Sequence, residues 1–366
     1  MSSIDAVTVI ADILRPAGDG SPGEVDRLTR WVADAIRPAI RLAADCPVEA
    51  ITTDETRDLA PWIASLRGPH QADAHWASVH AVMAVSPTLD RLVLQRLKRR
   101  FVVGYELPPW LVRVLDERQI PYVDIRLHPV RFLDDLIFAV RAAVPQTQAA
   151  LAPHAVPGTT PWVAAGLLTA MGRFISQARM PQGTLLIAGQ RRFDSTQIAG
   201  GTFFDAGAQA VEVQALCARH AATVLKPHPH DPDHSLLAVA AAVPNALGTI
   251  NDNIYRLMAQ PQIEAVLTVN SGVAVEAPYF GKRVHTLLPQ PTVLAWRNET
   301  ARPGAHLGID DFVLTPDFWR IVLAPHAKVT VPDGFRLPPK PNRLRIALDS
   351  FWNYQQVDTD RIPRSG

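Results

Sequence analysis

Short apolar runs alternate with segments of helical period along most of this chain, and that alternation narrows the fold more than any other feature. Parallel strands need long crossover connections, usually helices, so a strand–helix–strand order predicts an α/β protein with parallel sheets. In the first half, TLDRLVLQRLKRR reads as a helix capped by Ser86 or Thr88, FVVGYE as a strand, PPWLVRVLDERQ as a helix opened by proline, and YVDIRLH as the next strand. FLDDLIFAVRAAV then reads as a helix. Prolines and small residues crowd Val144 to Pro161, a stretch of turn chemistry that marks a hinge. A helix from about Trp162 to Ala178 leads into TLLIAGQ, ATVLKPH, IEAVLTVNS and RVHTLLP, which read as buried strands separated by helices. Asn342 to Gln356 reads as a final helix. The expected organisation is one α/β unit over 1–157, a second over 158–335, and a C-terminal helix within 336–366 that packs back on the first unit.

With 366 residues, 48% hydrophobic and 19% charged, the chain has material for two folded cores. The formal net charge of +1 gives no field to hold a polyanion, which argues against a nucleic-acid partner. Cys46 and Cys217 sit in predicted helices without Cys-x-x-Cys spacing, which excludes a thiolate zinc site and suits a reducing compartment. No secretory leader and no uninterrupted apolar span of about 18 residues is evident, so the expected location is cytoplasmic. The basic run RLKRR, Arg96 to Arg100, leaves peripheral attachment to an inner membrane open.

Polar strand ends carry the chemistry, because open α/β sheets bind ligands beyond the carboxyl ends of their strands. Glu106 closes the apolar FVVGYE, where burial would raise its pKa and suit it to acid/base work. Asp194 follows TLLIAGQ by a few residues, beside Arg191 and Arg192, and suits a nucleophile or a turn cap. In KPHPHDPDH, the prolines hold His228 extended, so it suits a phosphate contact, a turn or, with His230 and His234, a metal. The irregular path of the chain there disfavours the metal, and none is expected. Asn270, Ser271 and Gly272 end a strand and open a helix, where free amides suit phosphate or serve only as a cap.

Taken in order, GQRRFDS, LKPHP and VNSGVAVEAPYFGKRV resemble the retaining β-Kdo glycosyltransferases of bacterial capsule and lipopolysaccharide O-antigen synthesis. The resemblance is clearest from Thr184 to Leu287 and extends back to GYELPP and HPVRFLDDL, about half of the chain. It implies a GT-B-like fold, two Rossmann-like domains with a cleft between them. It also implies transfer of 3-deoxy-D-manno-oct-2-ulosonic acid (Kdo) from CMP-β-Kdo to a glycan or glycolipid acceptor, with no cofactor.

By the same resemblance Asp194 is the nucleophile that forms a covalent Kdo intermediate, Glu106 the acid/base, and His228 the contact to the CMP phosphate. Gln190, Lys226, Asn270, Ser271, Gly272 and Glu276 complete the donor site. Bacterial sialyltransferases using CMP-sialic acid share the KPHP and serine strand ends, but their acidic pair followed by glycine is missing here. A non-catalytic sugar-nucleotide or polysaccharide-binding module is the alternative of a different class. Arg126, His128, Arg131, Trp76 and Trp110 are the candidate readers of the acceptor.

Overall fold

The structure is a computed structural model that describes residues 4–15, 24–52, 72–81, 87–172, 180–232, 234–297, 299, 304–330, 335, 337–338, 340 and 342–348. Two sheets organise the chain. The first contains β1 (Ala6–Ile10), β2 (Val48–Ile51), β3 (Arg100–Tyr105), β4 (Tyr122–Leu127) and β5 (Phe138–Ala142). The second contains β6 (Thr184–Ala188), followed after a small hairpin of β7 (Ile198–Ala199) and β8 (Thr202–Phe203) by β9 (Ala222–Lys226), β10 (Ala246–Thr249), β11 (Ile263–Thr268) and β12 (Arg283–Thr286). The chain then returns to the first sheet as β13 (Leu294–Ala295) and β14 (His306–Ile309).

The second sheet is wholly parallel, in the order β10-β9-β6-β11-β12. Numbered within that unit the order is 3-2-1-4-5, as in a nucleotide-binding α/β half, and the winding reverses between β6 and β11. The first sheet runs β13-β14-β5-β4-β3-β1-β2. Its β2-β1-β3-β4 portion is parallel and reverses between β1 and β3. Apolar clusters cover both faces of each sheet, giving two α/β/α layers. The expected α/β class with parallel sheets is present, with one modification: β5 is antiparallel to both β4 and β14.

That modification corrects a sequence reading. FLDDLIFAVRAAV is not a helix, because Phe138, Ala139 and Val140 hydrogen-bond in register to Leu127 and its neighbours on one side and to β14 on the other. Three further readings change. Val144 to Pro161 holds a helix, Pro145–Leu151, and the start of another, Thr159–Gly172, so it is not an open hinge. Residues 294–323 belong with the first sheet, where the helix Pro316–Leu323 packs against the helix Glu24–Ala44, so the second unit ends near β12 and not at 335. Cys46 lies just past the helix Glu24–Ala44 rather than within one; both cysteines are buried and unpaired.

The C-terminal helix, Arg343–Leu348 in its described part, sits against the first unit; the remainder of the predicted helix, and Ser86, fall outside the described residues. Arg345 is 1% exposed and donates to the carbonyls of Arg131, Leu133 and Asp134, while Asp135 accepts from the amides of Leu344 and Arg345. The loop 131–135, which links the two units, is thereby fixed. The basic run is partly neutralised, with Arg99 paired to Asp5 at 2.7 Å and Arg100 to Glu49 at 3.2 Å. No helix among the described residues is long and apolar enough to cross a membrane.

Candidate functional site

The two winding reversals face one cleft. After β3 the chain turns sharply at Glu106, whose φ of 53° is left-handed and whose N–H donates to Ile125 O at 2.9 Å. Gly104 makes the turn fit, since a Cβ there would lie 2.0 Å from Leu107 Cγ. Leu107 N–H donates to Asp124 Oδ1 at 3.0 Å, and the two prolines that follow open the helix Pro109–Glu117. Asp124 is buried and accepts on Oδ2 from Arg126 at 2.7 Å and His306 at 2.9 Å. Burial alone would push its pKa up, but Arg126, His306 and the Leu107 amide outweigh it and hold the carboxyl well below the usual range.

Glu106 is exposed and lines a pocket with Ser195 of the second unit. Desolvation raises its pKa, Arg126 pulls it down, the Asp194 carboxylate pushes it up, and Arg15 and Arg131 oppose that push. Asp194 of the second unit is thus among the charges that act on Glu106 of the first. Ser195 lines the same pocket as Asp12, Arg15, Trp76, His80 and Glu106.

Asp194 is set by its own turn and by the strand ends beneath it. Its Oδ1 accepts from Thr196 N at 2.9 Å as the cap of the turn Ser195–Gln197. Gln190 beyond β6 donates to Thr196 Oγ1 at 2.9 Å and to Asn270 Oδ1 at 3.0 Å, and accepts from Asn270 N at 3.2 Å. The Asn270 amide also donates to the carbonyls of Thr196 and Pro289. Gln190 and Asn270 thus bridge β6 and β11 at the reversal and fix the Asp194 loop between them. Helix Ala72–Ala81 of the first unit braces that loop from outside: Phe203 on β8 packs 5.8 Å from Trp76, and a Cβ on Gly201 would lie 3.6 Å from Ser78 Cα.

His228 is half-buried, and its Nδ1 accepts from His230 N at 3.1 Å, so the proton of the neutral ring sits on Nε2. Burial, with His230 and Arg191 and against Asp231, lowers its pKa to about 4, which leaves a neutral N–H donor at pH 7. Lys226 donates to Pro227 O at 3.1 Å, and its pKa is lowered by burial. His230 is exposed, while His234 is buried and engaged by Leu236 N on Nδ1 and by Gln197 Oε1 on Nε2. The three histidines do not converge, and among the described residues no group of three or more His, Cys, Asp or Glu could hold a metal ion.

Ser271 Oγ accepts weakly from Val273 N at 3.4 Å. Gly272 sits against Pro129 of the first unit, where a Cβ would lie 3.2 Å from Pro129 Cβ, so a side chain would need Pro129 to give by a few tenths of an ångström. Glu276 is 3% exposed and its Oε1 accepts from Arg131 N at 2.8 Å and Tyr255 Oη at 3.0 Å. Burial raises its pKa to about 7 against those hydrogen bonds and nearby arginines. Asn270 and Glu276 therefore differ from the expectation of direct donor contacts: the first is spent on the Asp194 loop and the second on the junction between units.

The expected acceptor readers also divide. Trp76 and Trp110 are buried, and their indole N–H groups donate to Asp12 at 2.9 and 3.4 Å, which makes them supports. His128 is buried beside Trp296, with Nδ1 accepting from Val130 N and its pKa lowered to about 3 by burial and by Arg131 and His306. Arg126 is held by Asp124 and Thr292. Arg131 is half-buried and acts on Glu106. Sequence reasoning missed Asp12, Arg15 and His80, for which the only sequence signal was the position of Asp12 just beyond the strand AVTVI.

No protein-family model matches the chain, and no curated protein matches it. Among solved structures, the chain is similar to Thermosulfurimonas dismutans KpsC, beta Kdo 2,7 transferase, at a TM-score of 0.39 and 10% identity, covering 87% of this chain and 99% of that one. It is similar to the KpsC beta Kdo 2,4 transferase of the same organism at a TM-score of 0.41 and 11% identity, over 87% and 90% of the two chains. The UDP-GlcNAc 2-epimerase of Neisseria meningitidis is also similar, at a TM-score of 0.31 and 12% identity over 87% and 93%.

Proposed function

We propose that this protein is a retaining glycosyltransferase that moves Kdo from CMP-β-Kdo to a glycan or glycolipid acceptor in cell-surface polysaccharide synthesis. The observation that carries the reading is that Ser195, next to Asp194 on the second unit, lines one pocket with Glu106 of the first. Two carboxyl groups in one cleft, one to attack the anomeric carbon and one to take the acceptor proton, suit a two-step displacement with retention.

In the first step the Asp194 carboxylate attacks the anomeric carbon of Kdo, and the bond from that carbon to the phosphate oxygen of CMP breaks. We assign His228 and Ser271 to the departing phosphate, since a neutral imidazole can donate through Nε2–H without needing a proton from solvent. In the second step Glu106 takes the proton of the acceptor hydroxyl as that oxygen attacks the anomeric carbon, and the bond to Asp194 breaks. The second inversion restores the starting configuration.

Intact-mass measurement after mixing the protein with freshly generated CMP-β-Kdo tests the reading. The expected result is release of CMP with a Kdo adduct that maps to Asp194. Absence of both CMP release and CMP binding would end the proposal. Turnover without an adduct, accompanied by inversion at the anomeric carbon, would replace the retaining mechanism with a single displacement.

A further inference from the structure

We infer that Thr292 is a positioning residue of the cleft, whose hydroxyl holds the Arg126 guanidinium beside Glu106 from the same crossover segment that receives the amide clamp of the Asp194 loop. The inference takes the acid/base role of Glu106 from the reading above, but the linkage itself rests on hydrogen bonds. Residues 287–293 carry the chain from the second sheet back to the first. At their start the N–H groups of Leu287 and Leu288 each donate to Val269 O at 3.0 Å, and Pro289 O accepts from the Asn270 side-chain amide at 3.3 Å. At their end Thr292 Oγ1 accepts from Arg126 at 2.9 Å, and Val293 O accepts from the backbone N–H of His306 at 2.8 Å.

The last two contacts lead to one carboxylate. Asp124 Oδ2 accepts from Arg126 at 2.7 Å and from the His306 ring at 2.9 Å, while its Oδ1 accepts at 3.0 Å from the N–H of Leu107, the residue after Glu106. Glu106 N–H in turn donates to Ile125 O at 2.9 Å, and that peptide runs directly into Arg126. The turn that presents Glu106 and the guanidinium of Arg126 are therefore neighbours twice over, through the backbone and through a shared carboxylate.

Thr292 matters because the Arg126 Nε is buried with no hydrogen-bond partner, so the guanidinium is placed by one terminal nitrogen on Asp124 and the other on Thr292. A planar fork held at both tips is fixed in its plane; held at one, it can turn about the remaining contact. Without the Thr292 oxygen the pair with Asp124 would persist while the charge moved. The charges that face Glu106 are Arg126 on β4, Asp194 of the second unit, Arg15 beyond β1 and Arg131 of the linking loop, with Asp12 and His80 lining the same pocket. Arg126 is the strongest of these charges, and it favours the ionised carboxylate.

The test reads Glu106 directly and needs no turnover. Glutamate isotope-labelled at the side-chain carboxyl carbon is incorporated into the full chain, Glu106→Gln identifies the resonance, and its midpoint is followed against pH by NMR. Thr292→Val, close in shape but without the oxygen, should move the midpoint upward, by less than Arg126→Gln moves it. Thr292→Ser, which restores the acceptor, should return it to the native value. In the Arg126→Gln background Thr292→Val should add nothing, because the two residues act in series. An unmoved midpoint in Thr292→Val, an equal shift in Thr292→Ser, or a full further shift in the double variant overturns the inference. If Thr292→Val does not fold, Thr292→Ala takes its place in the same comparisons. The expected shifts without any Kdo adduct or CMP binding would end the transferase reading and leave this positioning role, whereas a Kdo adduct on Asp194 with an unmoved midpoint would do the reverse.

Discussion

The two crevices that face each other across the cleft are fixed by different means. At the β6/β11 reversal, neutral amides do the holding: Gln190, Asn270 and Thr196 lock the Asp194 loop through short, directional hydrogen bonds. At the β1/β3 reversal, charge and backbone do it: Asp124 with Arg126 and His306 beneath the turn, Asp12 with its two indoles beside it, and Glu106 in a left-handed conformation. Neutral clamps fix a side chain by direction alone. Charged clamps tune a proton. The comparison teaches that one side of this cleft is organised to place an atom and the other to set a protonation state.

The sharpest way to break this comparison is Asp194→Asn. Asparagine keeps the side-chain oxygen that caps Thr196, so the loop and the thermal midpoint should persist, while kcat falls by at least about 10³-fold if Asp194 is the nucleophile. A rate within tenfold of the native enzyme would remove it from that role.

Next in size is the junction at Glu276. A carboxyl raised by folding takes up protons as the chain folds, so its stabilising contribution is full below the unfolded value near 4.5 and is lost as pH rises to about 7. The native protein should therefore lose up to about 3 kcal/mol from this group between pH 4 and pH 8, as a pKa unit corresponds to about 1.4 kcal/mol. Glu276→Gln, which can still accept from Arg131 N and Tyr255 Oη, should flatten that slope in denaturant titrations at several pH values.

Asn270→Ala leaves Gln190 and two carbonyls short of partners and should cost about 1–3 kcal/mol in the same titrations. It should also slow formation of the Asp194 adduct more than it weakens CMP binding. An equal loss in both would show that the amide clamp does not act through the loop.

The smallest effect separates the charged side. Arg126 lowers the Glu106 pKa, so Arg126→Gln should move the acid limb of the kcat/KM profile further upward from the ordinary carboxylate range. An unmoved limb would take Glu106 out of the acid/base role.

Much of this arrangement was legible in the sequence because strand ends announce themselves. The runs containing β3, β4, β6, β9 and β11 each close on residues that the structure brings to or beside the cleft, Glu106, Gln190, His228 and Ser271 among them. FLDDLIFAVRAAV was misleading for a physical reason. Leu133, Leu136, Ile137 and Val140 fit helical spacing, but Phe138–Ala142 is a strand between β4 and β14, and β14 lies about 170 residues away in the chain.

The same distance hid the crevice around Asp12. Asp12 acquires meaning only beside Trp76, His80 and Trp110, and none of those lies near it in sequence. The burial of Asn270 and Glu276 was likewise hidden, since it is not visible from a strand end alone.

The left-handed backbone at Glu106 has a practical consequence for anyone who evolves this protein in the laboratory. A non-glycine residue in that conformation carries strain of order 1 kcal/mol, which glycine or asparagine would relieve. A selection for heat resistance alone should therefore enrich Glu106→Gly and Glu106→Asn. Those survivors would be hardier proteins without the Glu106 carboxyl, and their recovery would show how much robustness natural selection has forgone at one position.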